Sequence, residues 1–157
     1  MITQSVASQD PGGALRRGFL LMAGLGILGT AIELATIHHW DSTEQLIPWF
    51  MLGIAALMLI AVVARPATTV VKGVRILSVA GLAATAFGIW EHIDSNIEAG
   101  PLDRVWGPKW DGLSSLSRFW HAANGDVGPS PLLAPASLGV VFLSLMFATI
   151  GLGSATA

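Results

Sequence analysis

"FLLMAGLGILGTAIELATI", Phe19 to Ile37, decides the fold. A run this long and this apolar approaches the roughly 20 residues that a helix needs to cross a hydrocarbon core. Three more runs share the character: Leu46 to Ala64 ("LIPWFMLGIAALMLIAVVA"), Val74 to about Ile93 ("VRILSVAGLAATAFGIWEHI") and Leu132 to about Gly153. None alternates apolar and polar residues as a barrel strand does, and only helices or closed barrels satisfy the backbone in lipid. The expected fold is all-α: four transmembrane helices in one compact bundle. The spans fall near 18–39, 46–64, 74–93 and 132–153, with 1–13 a flexible cytoplasmic tail and 94–131 a long outer loop.

Composition agrees. Of 157 residues, 53% are hydrophobic and only 11% charged, against about a quarter charged in soluble domains. With a net charge of −2, there is no basic stripe for nucleic acid. The absence of cysteine excludes disulfides, thiolate metal sites and thiol redox chemistry.

The positive charges orient the bundle. Arg16, Arg17, Arg65, Lys72 and Arg75 flank one side, accompanied only by Asp10. Asp41, Glu44, Asp94, Glu98, Asp103, Asp111 and Asp126, with Arg104, Lys109 and Arg118, occupy the other. The positive-inside rule places both termini in the cytoplasm of a bacterial inner membrane. "RRGFL" at 16–20 resembles part of a twin-arginine export signal. No small-x-small cleavage site follows it, and an uncleaved, arginine-anchored first helix is the expected reading.

Two short motifs fall at the outer side. "HHWDS" at 38–42 and "EHIDS" at 91–95 share His39/His92, Asp41/Asp94 and Ser42/Ser95. The match extends weakly upstream, "GTAIELATIHHWDS" on "ATAFGIWEHIDS", and fails downstream. Internal duplication and two similar helix ends both remain open. Small residues at helix-packing spacing (Gly26 and Thr30, Gly81 and Thr85, Ala84 and Gly88, Ser144 and Ala148) favour close helix contact. The outer loop holds Trp106, Trp110 and Trp120, with Trp40 and Trp90 near the same depth, as expected at a membrane interface. Within it, "DGLSSLSRFWHAANG" reads as a short amphipathic helix with Leu113, Leu116, Phe119 and Trp120 on its apolar side and Asn124-Gly125 as its stop.

Ionisable groups within or beside spans are costly in lipid and mark candidate sites. Glu33, His38, His39, Glu91, His92 and Asp94 all lie in the outer halves of the first and third spans, and His121 sits on the loop helix. Three chemistries fit. A transition metal (copper, iron or zinc) would be held by His38, His39, Glu91 and His92, with Glu33 beneath and His121 above. Haem b would take one histidine from each helix, His39 and His92. A proton or ion relay, with coupled transport, would run through Glu33, Glu91 and Asp94. The Glu-x-x-His spacing of di-iron bundles is absent.

Metal or haem binding in a redox or metal-handling role is the leading expectation. A non-enzymatic accessory subunit of a larger membrane complex is the alternative, and transport through Glu33 a further one. On a plainly structural reading, the histidines are wetted boundary residues, Asp and Ser are helix caps, and only Glu33 needs explaining. No nucleophile elbow, Walker loop, His-Glu-x-x-His or dinucleotide motif appears, so no catalytic residue is assigned. The expected partners are the lipid bilayer and either further copies of the chain or subunits of a larger complex.

Overall fold

The structure, a computed structural model, describes residues 10–152. Among these no strand occurs, and five α-helices account for most of the chain: α1 Pro11–Thr36, α2 Thr43–Ala64, α3 Thr68–Ala99, α4 Ser115–Asn124 and α5 Leu133–Ala148. The helices α1, α2 and α3 are long and apolar enough to cross a membrane.

The fourth apolar run departs from expectation. α5 has 16 residues, or about 24 Å at 1.5 Å per residue, short of the roughly 30 Å hydrocarbon core. The chain turns through Thr149–Ile150 instead of continuing to 153, which lies outside the described residues. Short as it is, α5 is the most enclosed helix, packing against α1, α2 and α3. Val141, Phe142, Leu145 and Ala148 are fully buried. Its opposite face stays open, with Val140, Leu143 and Phe147 exposed.

Other boundaries shift for local reasons. The expected tail 1–13 lies outside the described residues up to 9, and its last three residues are helical. Asp10 caps α1 by accepting from the Gly13 amide at 3.0 Å, and Pro11 fits the first helical position. At the other end of the bundle, α3 runs on past Ile93 for 32 residues in all. "EHIDS" is therefore inside a helix, whereas "HHWDS" forms the α1–α2 connection. The two motifs are not equivalent helix ends.

α1 and α3 run antiparallel to α5 and pack on it through missing side chains. A Cβ at Gly81 would overlap the Phe142 ring, and Gly26 and Gly139 lie as close to Val141 and Thr85. Thr30 and Ser137 hydroxyls bond across α1–α5 at 3.1 Å. The expected small-residue faces thus converge on α5, although Ala80, at the same four-residue spacing from Ala84, stays exposed. The α5 C-terminus is closed by cations. Arg16 donates to the Ala148 carbonyl, and Arg75 to the Thr149 hydroxyl and to the Thr149 and Leu152 carbonyls. These arginines satisfy the orphaned carbonyls of a helix end and complement its dipole.

The outer segment between α3 and α5 is folded. α4 lies against α3 and ends at Gly125 with φ 75°, as the Asn-Gly stop predicts. The apolar side is rotated from expectation: Phe119 and Ala122 face inward, while Leu116 and Trp120 are exposed. Trp110 is also turned inward. It is buried with Ile93, Ala122 and Val127, its ring filling the space where a Cβ at Gly100 would stand. Arg118 donates to the Trp110 and Asp111 carbonyls and holds this turn down.

Candidate ligand cavity

Where the helices separate at the outer end, they leave a cavity of about 580 Å³. Its floor is Thr30 and Leu34 of α1, Thr85 of α3 and Leu138 of α5, all buried. Below it the core is closed by Leu52, Val141, Phe142 and Leu145. Among the described residues, no ionisable side chain is buried in the core.

Four of the sequence-selected residues line this one cavity: Glu33, His39, Glu91 and His92. They arrive from different elements, Glu33 from α1, His39 from the α1–α2 connection, and Glu91 and His92 from α3. His38, Asp94 and His121 do not line it. Glu44 joins from the first turn of α2. No lysine or arginine contributes to the wall.

The turn that delivers His39 is set by its neighbour. The His39 amide bonds the Leu34 carbonyl at 2.9 Å and the His38 amide bonds the Ala35 carbonyl at 3.3 Å. This is a Schellman-type helix end, and it puts His38 at φ 54°. That left-handed position favours glycine. The His38 ring turns outward onto Trp40, which is why one of two adjacent histidines reaches the cavity and the other does not. The His39 carbonyl accepts from the Trp49 indole at 2.8 Å, tying the connection to α2. At the α2 start, Ser42 accepts from the Gln45 amide while Gln45 accepts from the Asp41 amide. This reciprocal arrangement resembles a capping box. Partial burial, and secondarily the charge of His92, hold the His39 pKa below its ordinary value of 6.5.

His92 is oriented from behind. Its Nδ1 lies 2.9 Å from the Pro131 carbonyl. A carbonyl can only accept, so Nδ1 carries the hydrogen and Nε2 keeps a free lone pair in the neutral ring. Pro131 is itself fixed through Asn96, a fully buried residue. Asn96 donates to the Ala122 and Ser130 carbonyls at 3.2 and 2.9 Å and accepts from the Ser130 amide at 2.9 Å. Ser130 and Ser95 hydroxyls bond at 3.2 Å. Gly128, at φ 76°, presses its backbone against Asn96 where no side chain fits. The segment Gly128–Pro131 is thereby locked over α3. Nothing in the sequence marked Asn96 or Pro131 for this role, because a side chain bonding to backbone carbonyls leaves no compositional signature.

His121 is engaged elsewhere. Its Nδ1 is 2.9 Å from Asp126 Oδ2 and its ring stacks on Trp106 at 3.7 Å. Asp103, in the same outer segment, accepts from the Val105 and Trp106 amides at 2.7 Å. The Trp106 and Val105 bonds, in that order, hold its carboxyl below the usual range.

Among the described residues, no three His, Asp or Glu side chains stand close enough together to hold a metal ion. The convergence is therefore two imidazoles and flanking carboxylates around a space much larger than an ion. Comparison with family models, curated proteins and solved structures gives no match, so no residue role comes from a relative.

Proposed function

We propose that this is an integral membrane protein of four apolar helices whose outer cavity binds a small ligand with a positive or hydrogen-donating polar end. The observation that carries the reading is the single cavity lined by Glu33, His39, Glu91 and His92 with no lysine or arginine. Its volume falls within the range of organic ligand sites, roughly 300–1,000 Å³. Glutamates on the wall attract a cation and repel an anion. His92, oriented by its bond to the Pro131 carbonyl, adds a further polar group to the wall. Membrane placement is supported by large apolar side chains left exposed along α1, α2 and α3, among them Leu25, Leu28, Ile32, Phe50, Leu57, Ile60 and Ile76. Exposed apolar surface of that extent is foreign to a water-facing protein. The positive-inside rule orients both termini to the cytoplasm of a bacterial inner membrane.

A thermal-shift series tests the reading, because a ligand that binds only the folded state raises the melting temperature by mass action. Alkylamines should raise it and alkylcarboxylates of equal length should not. The reverse order would refute the assignment.

One observation favours a metal-bearing version. A ligating histidine usually donates its second ring nitrogen to a carbonyl or carboxylate, and the His92 bond to Pro131 has that form. In this version His39 and His92 would hold copper, iron, zinc or the iron of haem b in a redox or metal-handling role, with no third His, Asp or Glu among the described residues close enough to join them. Zinc or copper should then stabilise the wild-type protein and lose its effect in His39→Ala/His92→Ala. Haem would show as a Soret band lost in the same variant.

A further inference from the structure

The cavity wall is not closed by protein on its flank. Ile37, just past α1, is 55% exposed and Phe87, on α3, is 47% exposed, yet both line the cavity. Phe87 precedes His92 by five residues, about 7.5 Å of helix rise. It therefore sits below the polar rim, at a level that belongs to the apolar part of the span. α1 and α3 pack on α5 and on α2, and these two apolar side chains line the cavity while staying half-exposed. The interior grades from Glu91 and His92 near the outer surface to Thr85, Leu34 and Leu138 at the floor.

We infer that the cavity takes a single-chain amphiphile with a protonated amine head, and that this ligand comes from the outer leaflet rather than from water. The inference rests on the cation-binding reading above and adds the ligand's class and route. The ammonium group pairs with Glu33, and Glu91 and His92 stand on the same wall. The chain leaves over Phe87 and Ile37 into the surrounding acyl chains. A water-borne ion needs neither this volume nor an apolar flank at that depth. An anionic lipid headgroup meets glutamates with no lysine or arginine on the wall.

Photolabelling of the full chain in lipid nanodiscs tests this. The probe is a dodecylamine with a diazirine near its mid-chain, and the control is dodecanol bearing the same group. The amine should label peptides containing Phe87 and Ile37 at least tenfold more than the alcohol does in wild-type protein, a comparison that needs no variant. Glu33→Gln should reduce amine labelling at least tenfold, and Glu98→Gln, an exposed acid outside the cavity, should leave it unchanged. Equal labelling by amine and alcohol, labelling confined to other surfaces, or indifference to Glu33→Gln would overturn the proposal. If the amine fails while zinc binds through His39 and His92, the amphiphile is wrong and the cation cavity stands. If neither binds, both readings fall.

Discussion

Replacing Asn96 with alanine removes three hydrogen bonds from a fully buried position. A neutral hydrogen bond contributes about 1 kcal/mol net, and a buried group left unpaired costs about 1–3 kcal/mol. The Ala122 carbonyl loses a buried partner, whereas the Ser130 groups are part-buried and water can replace some of what is lost. The expected destabilisation is therefore about 3 kcal/mol, set by three lost bonds. Most of it falls on the outer segment, since the core around Phe142 is untouched.

The local consequence is more specific than the global one. With Gly128–Pro131 released, the Pro131 carbonyl no longer fixes the His92 ring. Nitrogen-15 NMR of histidine-labelled protein should report a single Nδ1–H tautomer for His92 in the wild type and a tautomer mixture in Asn96→Ala. Amide exchange at Ser130 should accelerate at least tenfold. Denaturation in mixed micelles gives the stability change. A loss below about 1 kcal/mol, with the His92 tautomer and Ser130 exchange unchanged, would refute the claim that Asn96 organises this edge of the cavity.

Other outcomes follow from the same geometry. His38→Gly should stabilise the fold by about 1 kcal/mol, by relieving a left-handed residue, and should leave ligand binding intact; mixed-micelle denaturation measures the first and thermal shift the second. Gly81→Ala should cost about 1–3 kcal/mol through overpacking against Phe142, whereas Gly53→Ala, with nothing within 4 Å of its added Cβ, should be neutral or favourable. For His39, the folded protein disfavours the protonated ring. Its contribution is therefore present above the unfolded pKa near 6.5 and is lost as pH falls below that value towards the depressed one. Melting temperature should drop between pH 7 and pH 5, and His39→Gln should flatten that drop. Arg75→Ala should loosen the α5 C-terminus, seen as faster exchange of the last α5 amides, because the Thr149 and Leu152 carbonyls lose their cationic donor.

Apolar runs and missing charges made the helices legible, because the requirement to satisfy a backbone in lipid leaves few alternatives. The ends were less so. Pro11–Gly13 reads as a breaker-rich tail, yet an aspartate cap and a proline at the first position turn it into a helix start. α3 continues through polar residues because Asn96 and Ser95 find partners in a segment thirty-odd residues away, and periodicity carries no trace of such partners. α5 looks like a full span, but its helix stops at Ala148, where Arg16 and Arg75 take the last carbonyls. For the cavity, depth and charge pointed to Glu33, His39, Glu91 and His92 together. They could not tell His39 from His38, which a single left-handed residue decides, or foresee that His121 pairs with Asp126. The resemblance between the two histidine motifs was a weaker guide than their shared level in the bundle.

The most direct test of the cavity as a cation site is calorimetric titration of nanodisc-embedded protein with octylamine and, separately, with zinc. Wild-type protein should bind at least one of them saturably at one per chain, and Glu33→Gln/Glu91→Gln should weaken that binding at least tenfold. No saturable binding of either cation, or the same affinity in the double variant, would contradict the account.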